Sequence, residues 1–352
     1  MDTESDGFFH YRETVSLMQI SSPAENLILD PLAVRDLAAL STILANPRIG
    51  KVMHGSDYDV RSLDRQYGFR ISGLYDTAIA TSLLNPELMG LGRALETYLG
   101  IKLDKPTRLQ RSDWSRRPLP RDALNYAAGD SAHLLPLHDA LEEKLRALGR
   151  SEWMTEECGL MERVRYDPPS QPAEACFSAK GTFDLEPQAL AVFRELYLLR
   201  EKDAERMDRP PFKVISNEAL LAIARDPRIR FDAIPNANRR WLAAMEREIM
   251  AAIDRGLAQP PLNHPSRRKR RPNPWDDDSR RRWQVLHAAR GREATALGIS
   301  PAMLWPGKSL EAIGLDPTRL ERELTGESEF GVRKWQRKVF GPVLNAAMNT
   351  AK

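Results

Sequence analysis

The chain has 352 residues, of which 42% are hydrophobic and 29% charged, with a formal net charge of +3. That length exceeds one typical domain, the composition excludes disorder throughout, and the charge is too small for the overall field to hold a polyanion, so any such partner must meet local patches. Two cysteines, Cys158 and Cys176, exclude a disulfide framework and offer no zinc-ligand spacing. An acidic N-terminal stretch and the lack of an apolar run of ~18 residues lead us to expect a cytoplasmic protein.

Residues 14–20 alternate and end at Ser21-Ser22-Pro23, which predicts a strand. A second strand at 26–30 follows so closely that an antiparallel meander is expected. Apolar residues at helical spacing over 32–44 follow Asp30-Pro31, predicting a helix. Residues 51–55 read as a short buried strand, 57–67 as the helix after it, and 74–77 as another strand end. Most of the remainder to Leu148 reads as helical, with Asp122 as cap of the helix holding Tyr126 and Asp130. The first domain is thus α/β and spans 1–165.

Residues 166–182, rich in Pro, Ser, Ala and Glu, read as an exposed linker. An all-α domain is expected over 183–260, with helices carrying Leu190 to Leu199, then Leu220 to Ile223, then Trp241 to Ile253. A basic linker follows at 261–282. It holds Arg267-Arg268-Lys269-Arg270-Arg271 and Arg280-Arg281-Arg282 against Asp276-Asp277-Asp278, a local excess of +5. A third helical set over 283–352 has Leu-x-x-Ile spacing like that of Leu220 and Ile223, which suggests a weak duplication.

The chemistry lies in three short motifs. In Asp2-Thr3-Glu4 both carboxylates fall on one face of a strand, because strand side chains repeat every two residues. Tyr126 and Asp130 are four apart on one helical face. Asp59 stands in the first turn of a helix, where a negative side chain also favours the dipole. Each motif alone is commonplace. Converging, four carboxylates would repel one another unless cations lay between them, and two divalent metals are a standard means of cleaving phosphodiesters.

Together, Asp2-Thr3-Glu4, the run 51–59 ending in Asp59, and Tyr126-Ala127-Ala128-Gly129-Asp130 resemble the three exonuclease motifs of the ribonuclease D family, the tyrosine-containing branch of the DEDD exonucleases. Residues 74–77 and 112–119 match as well, and residues 185–253 resemble the helicase-and-RNase-D C-terminal (HRDC) module. The resemblance implies a ribonuclease H-like fold, a mixed sheet flanked by helices, with one or two HRDC-like domains after it. It also implies 3′→5′ hydrolysis of RNA with two Mg²⁺ or Mn²⁺ ions, in transfer-RNA 3′ processing. Asp2, Glu4 and Asp130 would hold one ion, and Asp2 with Asp59 the other. Tyr126 would orient the attacking water. His54 and Trp114, inside matched motifs, are expected substrate contacts.

Outside the site, Arg239 and Arg240 at the start of a helix are candidate phosphate contacts, the basic linker is a candidate electrostatic footprint, and Trp275 a candidate for base stacking. In the family the first aspartate closes an apolar strand, whereas only Met1 precedes Asp2 here. The expectation is a start further upstream, since a shortened central strand would leave buried backbone groups unpaired at ~1–3 kcal/mol each. Ser5-Asp6-Gly7 replaces a large apolar residue of several relatives, leaving Phe8, Phe9 or Tyr11 either to wedge the terminal base or to pack around a hairpin. Two other readings stay open: a catalytically impaired RNA-binding protein, and a DNA-directed 3′→5′ exonuclease.

Overall fold

The computed structural model describes residues 1–103, 106–234, 237–265 and 275–350. Contacts divide the chain into two units: 1–4, 15–166 and 272–352 in one, 5–14 and 167–271 in the other.

In the first unit, β1 (Asp2–Ser5), β2 (Val15–Ser21) and β3 (Asn26–Leu29) lie in that order in one sheet, β2 and β3 antiparallel with Gln19 opposite Ile28. β4 (Lys51–Met53) and β5 (Leu74–Asp76) pair in parallel. The Met1 nitrogen donates to Val52 O at 2.8 Å, which sets β1 beside β4. Met18, Ile20 and Leu29 pack on one side with Met53, Val60 and Leu63. Leu17 and Ile28 pack on the other with Trp114, Ala123 and Ala127. This alternation gives the sheet two covered faces.

The helices of this unit are α1 (Ala38–Ala45), α2 (Asp57–Tyr67), α3 (Thr77–Leu84), α4 (Leu91–Leu99), α5 (Thr107–Gln110), α6 (Arg121–Ala132), α7 (Leu134–Ala147) and α8 (Ser151–Met161). Two expectations need correction. The helix expected from residue 32 starts at Ala38, because Asp30 caps a local turn through Leu32 N and is held by Arg117, while Asp36 accepts from Ala38 N. Asp122 is inside α6 and not its cap; Pro120 holds the cap position and Asp122 pairs with Arg108.

The second unit contains α9 (Pro172–Ala175), α10 (Pro187–Arg206), α11 (Pro211–Val214), α12 (Asn217–Arg225), α13 (Arg239–Ala244) and α14 (Glu246–Ala258). Its core gathers Phe193, Leu196, Leu220, Ile223, Trp241 and Ile249. A Cβ on Gly256 would come within 2.5 Å of Val192 Cα, so only glycine permits this close approach of α14 to α10. The expected exposed linker is partly folded: Cys176 and Thr182 are buried, Cys176 in the same core. The helix expected over 241–253 is two helices, broken at Met245.

The C-terminal helices are α15 (Asp277–Leu297), α16 (Pro301–Leu304), α17 (Gly307–Leu315), α18 (Arg319–Thr325) and α19 (Lys334–Thr350). Their lengths repeat the 20–4–9 residue order of α10, α11 and α12 as 21–4–9. They do not close a core of their own, as a separate domain over 283–352 would. Leu286, Trp305, Leu310 and Phe340 join Leu134, Leu137, Leu141 and Met154 in one cluster. Among the described residues no helix is long and apolar enough to cross a membrane.

Candidate active site

β1 presents Asp2 and Glu4 toward α6, where Asp130 is four residues after Tyr126. One carboxylate oxygen from each of Asp2, Glu4 and Asp130 lies within 4.8 Å of the others. Such a set of hard oxygen donors fits a divalent cation of the Mg²⁺ or Mn²⁺ type, and its mutual repulsion calls for one. Asp130 is only 4% exposed, held in place by the burial of Ala123, Ala127 and Ser131 on the same helical face.

Asp59 reaches the site from a different direction. It sits in the first turn of α2, 5% exposed, and accepts a 2.5 Å hydrogen bond from Thr3 Oγ1. Burial, with the Asp2 carboxylate adding to it, pushes the Asp59 carboxyl up to about 8. Asp59 is therefore electrostatically joined to Asp2 while standing outside the three-carboxylate cluster. A cation between them would relieve both penalties.

Tyr126 borders the cluster. Its hydroxyl is held in the protonated form, first by burial and then by the negative charges of Asp130 and Glu4, against the hydrogen bond it makes with Gln110. Trp114, expected as a substrate contact, is 1% exposed with its ring 6.1 Å from that of Tyr126, so it supports Tyr126 from within. His54 Nδ1 is 2.9 Å from the Thr77 hydroxyl, which itself donates to Met53 O. The matched run 112–119 serves as scaffold: Arg117 ties Trp114 O, Ser16 O and Asp30 together.

Two residues act here without having been singled out as site residues. Asp76 accepts from Gly55 N, Ser56 N and Ser56 Oγ while capping α3, and so fixes the turn that launches the Asp59 helix. Its signal was the strand-end position before a helix. Thr3 was legible as the residue between two ligands, whose side chain must point to the opposite face.

In the second unit, Arg239 lines a cavity of about 570 Å³ with Arg228, Arg230, Phe231, Leu242 and Met250, and donates to Asp232 O. Arg240 is exposed at the start of α13. Residues 5–14 pack on α10 and α11: Phe8 meets Phe212 edge-on, Lys213 sits over Phe9, and Tyr11 OH donates to Glu201. These aromatics pack within the second unit here. The basic run 267–271 lies outside the described residues. Arg280 and Arg281 pair with Asp277 and Asp278, Arg282 donates to Gly314 O, and Trp275 packs edge-on against Trp283.

Sheet, flanking helices and clustered carboxylates define a metal-dependent 3′–5′ exonuclease followed by a helical nucleic-acid-binding domain. Residues 1–146 match the 3′–5′ exonuclease family and residues 189–253 the HRDC domain. Ribonuclease D of Pseudomonas paraeruginosa is 29% identical over 360 residues, covering 100% of this chain and 92% of that protein. Ribonuclease D of Nitrobacter hamburgensis is 31% identical over 284 residues, covering 78% and 72%. The crystal structure of Escherichia coli RNase D, described as an exoribonuclease involved in structured RNA processing, shares the fold with a TM-score of 0.68 at 21% identity, over 99% of this chain and 92% of that one. The chain belongs to the ribonuclease D family: it is a 3′→5′ exoribonuclease, a phosphodiester hydrolase dependent on divalent metal.

Proposed function

We propose that this protein trims the 3′ ends of transfer-RNA precursors in the cytoplasm, using two Mg²⁺ or Mn²⁺ ions. The observation that supports this most is the convergence of Asp2, Glu4 and Asp130 beside Tyr126. Asp2, Glu4 and Asp130 hold one ion, and Asp2 with Asp59 the second. Bound there, such ions supply charge stabilisation for the attacking and leaving oxygens of an in-line displacement.

The protein's own groups do the remaining work. Tyr126, kept protonated, orients the attacking water by hydrogen bonding. Thr3 fixes the rotamer of Asp59, whose proton must leave before the carboxylate can act as a ligand. His54, anchored on Thr77, contacts the terminal nucleotide, and Trp114 holds the Tyr126 ring. Arg239 and Arg240 meet RNA phosphates at the second unit, where such contacts position the substrate without reading sequence.

Incubation with a 3′-tailed transfer-RNA precursor and the matching DNA, in Mg²⁺, Mn²⁺ or chelator, tests the reading. Mononucleotides should be released from RNA, and chelator should stop the release. Asp130→Asn should abolish hydrolysis with melting unchanged, and Tyr126→Phe should slow turnover more than it weakens binding. Equal release from DNA would point to the DNA-directed reading, and full activity in Asp130→Asn would remove the site assignment.

A further inference from the structure

Gln19 is fully buried in the middle of β2, and among the described residues neither its amide nitrogen nor its amide oxygen has a hydrogen-bond partner. An amide placed there is costly, because its water hydrogen bonds are lost and not replaced. An apolar residue would fill the position without that cost, as Leu17 and Met18 do nearby.

The register says where the amide points. Side chains on β2 alternate, so Gln19 shares a face with Leu17 and Ser21. Leu17 packs against Ala123 and Ala127 of α6, and Ser21 Oγ is 2.8 Å from Ser131 Oγ. Ile28, directly opposite Gln19 on β3, packs into the same cluster as Leu17. Gln19 therefore projects toward the turn of α6 between Ala127 and Ser131. That turn carries Asp130, a member of the carboxylate cluster.

We propose that Gln19 is a positioning residue for Asp130: its carboxamide N–H, through one buried water, holds the Asp130 carboxylate in the orientation that presents it to the metal. The Ser21–Ser131 contact pins the helix end so that the amide and the carboxylate stay in reach. A neutral donor suits the task, since it fixes a carboxylate without cancelling the charge that attracts the cation. The inference rests on the metal reading given above, and outer partners of this kind change metal affinity by about 10–100-fold.

The test compares Gln19→Met, which keeps the volume and removes the amide, with wild type and Asp130→Asn. Each is melted in chelator, titrated with Mn²⁺ by calorimetry, and assayed on a labelled oligoribonucleotide for kcat and KM. Gln19→Met should melt at the same or a higher temperature in chelator yet bind Mn²⁺ about 10-fold more weakly or worse. Its kcat at limiting Mn²⁺ should fall in proportion and recover at high Mn²⁺, with KM for RNA within about 2-fold, the range left to a group that does not touch substrate. Unchanged Mn²⁺ affinity overturns the proposal, whatever happens to melting, since a purely structural amide would move only the latter. If Asp130→Asn loses Mn²⁺ while Gln19→Met does not, only this inference fails; if wild type takes up no Mn²⁺, the metal reading fails and takes this inference with it.

Discussion

The two helical sets, α10 to α14 and α15 to α19, are built to one plan and closed in two ways. Arg200 of α10 is buried and donates to Ile215 O; Arg290 of α15, 90 positions later, is buried and donates to Trp305 O, again 90 positions on. Leu220 and Ile223 correspond in the same way to Leu310 and Ile313, all four fully buried. The difference lies in the helix that carries the tryptophan, α13 in one set and α19 in the other. Trp241 Nε1 donates to Asp203 of its own long helix, whereas Trp335 Nε1 donates to Glu157 of α8, in the exonuclease part of the first unit. Trp153 of α8 also stacks on Trp335 at 4.4 Å. One set satisfies its tryptophan internally and folds as its own core. The other hands that bond to the nuclease and becomes part of its core.

The largest expected effect separates the two through pH. In the folded first unit Asp59 keeps its proton up to about 8, whereas unfolding returns it to 3.8. Below that lower value both states are protonated and the stability is fully present. As pH rises toward 8 the unfolded state sheds the proton first, so stability falls. In chelator, melting followed by Trp305 and Trp335 should therefore drop between pH 5 and pH 8, and Mg²⁺ should flatten the fall by displacing the proton. Melting followed by Trp241, in a single-tryptophan variant, should not track Asp59. A common pH slope for both probes would erase the distinction.

Next comes the tryptophan pair. Trp335→Ala removes a side chain that is 3% exposed and should cost the first unit ~3–5 kcal/mol, lowering exonuclease stability along with that of the C-terminal helices. Trp241→Ala should cost its own unit a similar amount and leave nuclease melting in place. Limited proteolysis combined with urea titration distinguishes the two. The smallest effect is on the arginines. Replacing Arg200 or Arg290 with Met should cost ~1–3 kcal/mol by leaving a buried carbonyl unpaired. The loss should be greater for Arg200, which also donates to Asn217 Oδ1, than for Arg290, whose Nε has no partner among the described residues.

Much of the site could be read in advance because its residues obey local periods. Asp2 and Glu4 share a strand face, and Tyr126 and Asp130 share a helix face, whatever the rest of the chain does. The approach of Thr3 to Asp59 could not be read, because 56 positions separate them and only the packing of α2 against the sheet joins them. Nor could the burial of Trp114 be read, because it depends on the long-range bonds by which Arg117 folds its stretch inward. Asp122 and residues 32–37 were misassigned for a similar reason. Arg108 and Arg117, distant in sequence, claimed the carboxylates that would otherwise have capped a helix.

By itself, then, the sequence determined the candidate site residues, the order of the elements and the repeated helical plan. All of these depend on short-range spacing, side-chain type and backbone propensity. Only the tertiary structure decided that three carboxylates meet within 4.8 Å while Asp59 stands apart on Thr3, and that the second helical set merges with the nuclease. Those outcomes turn on which of several apolar faces and hydrogen-bond partners win the competition for burial, and that competition is settled between segments far apart in the chain.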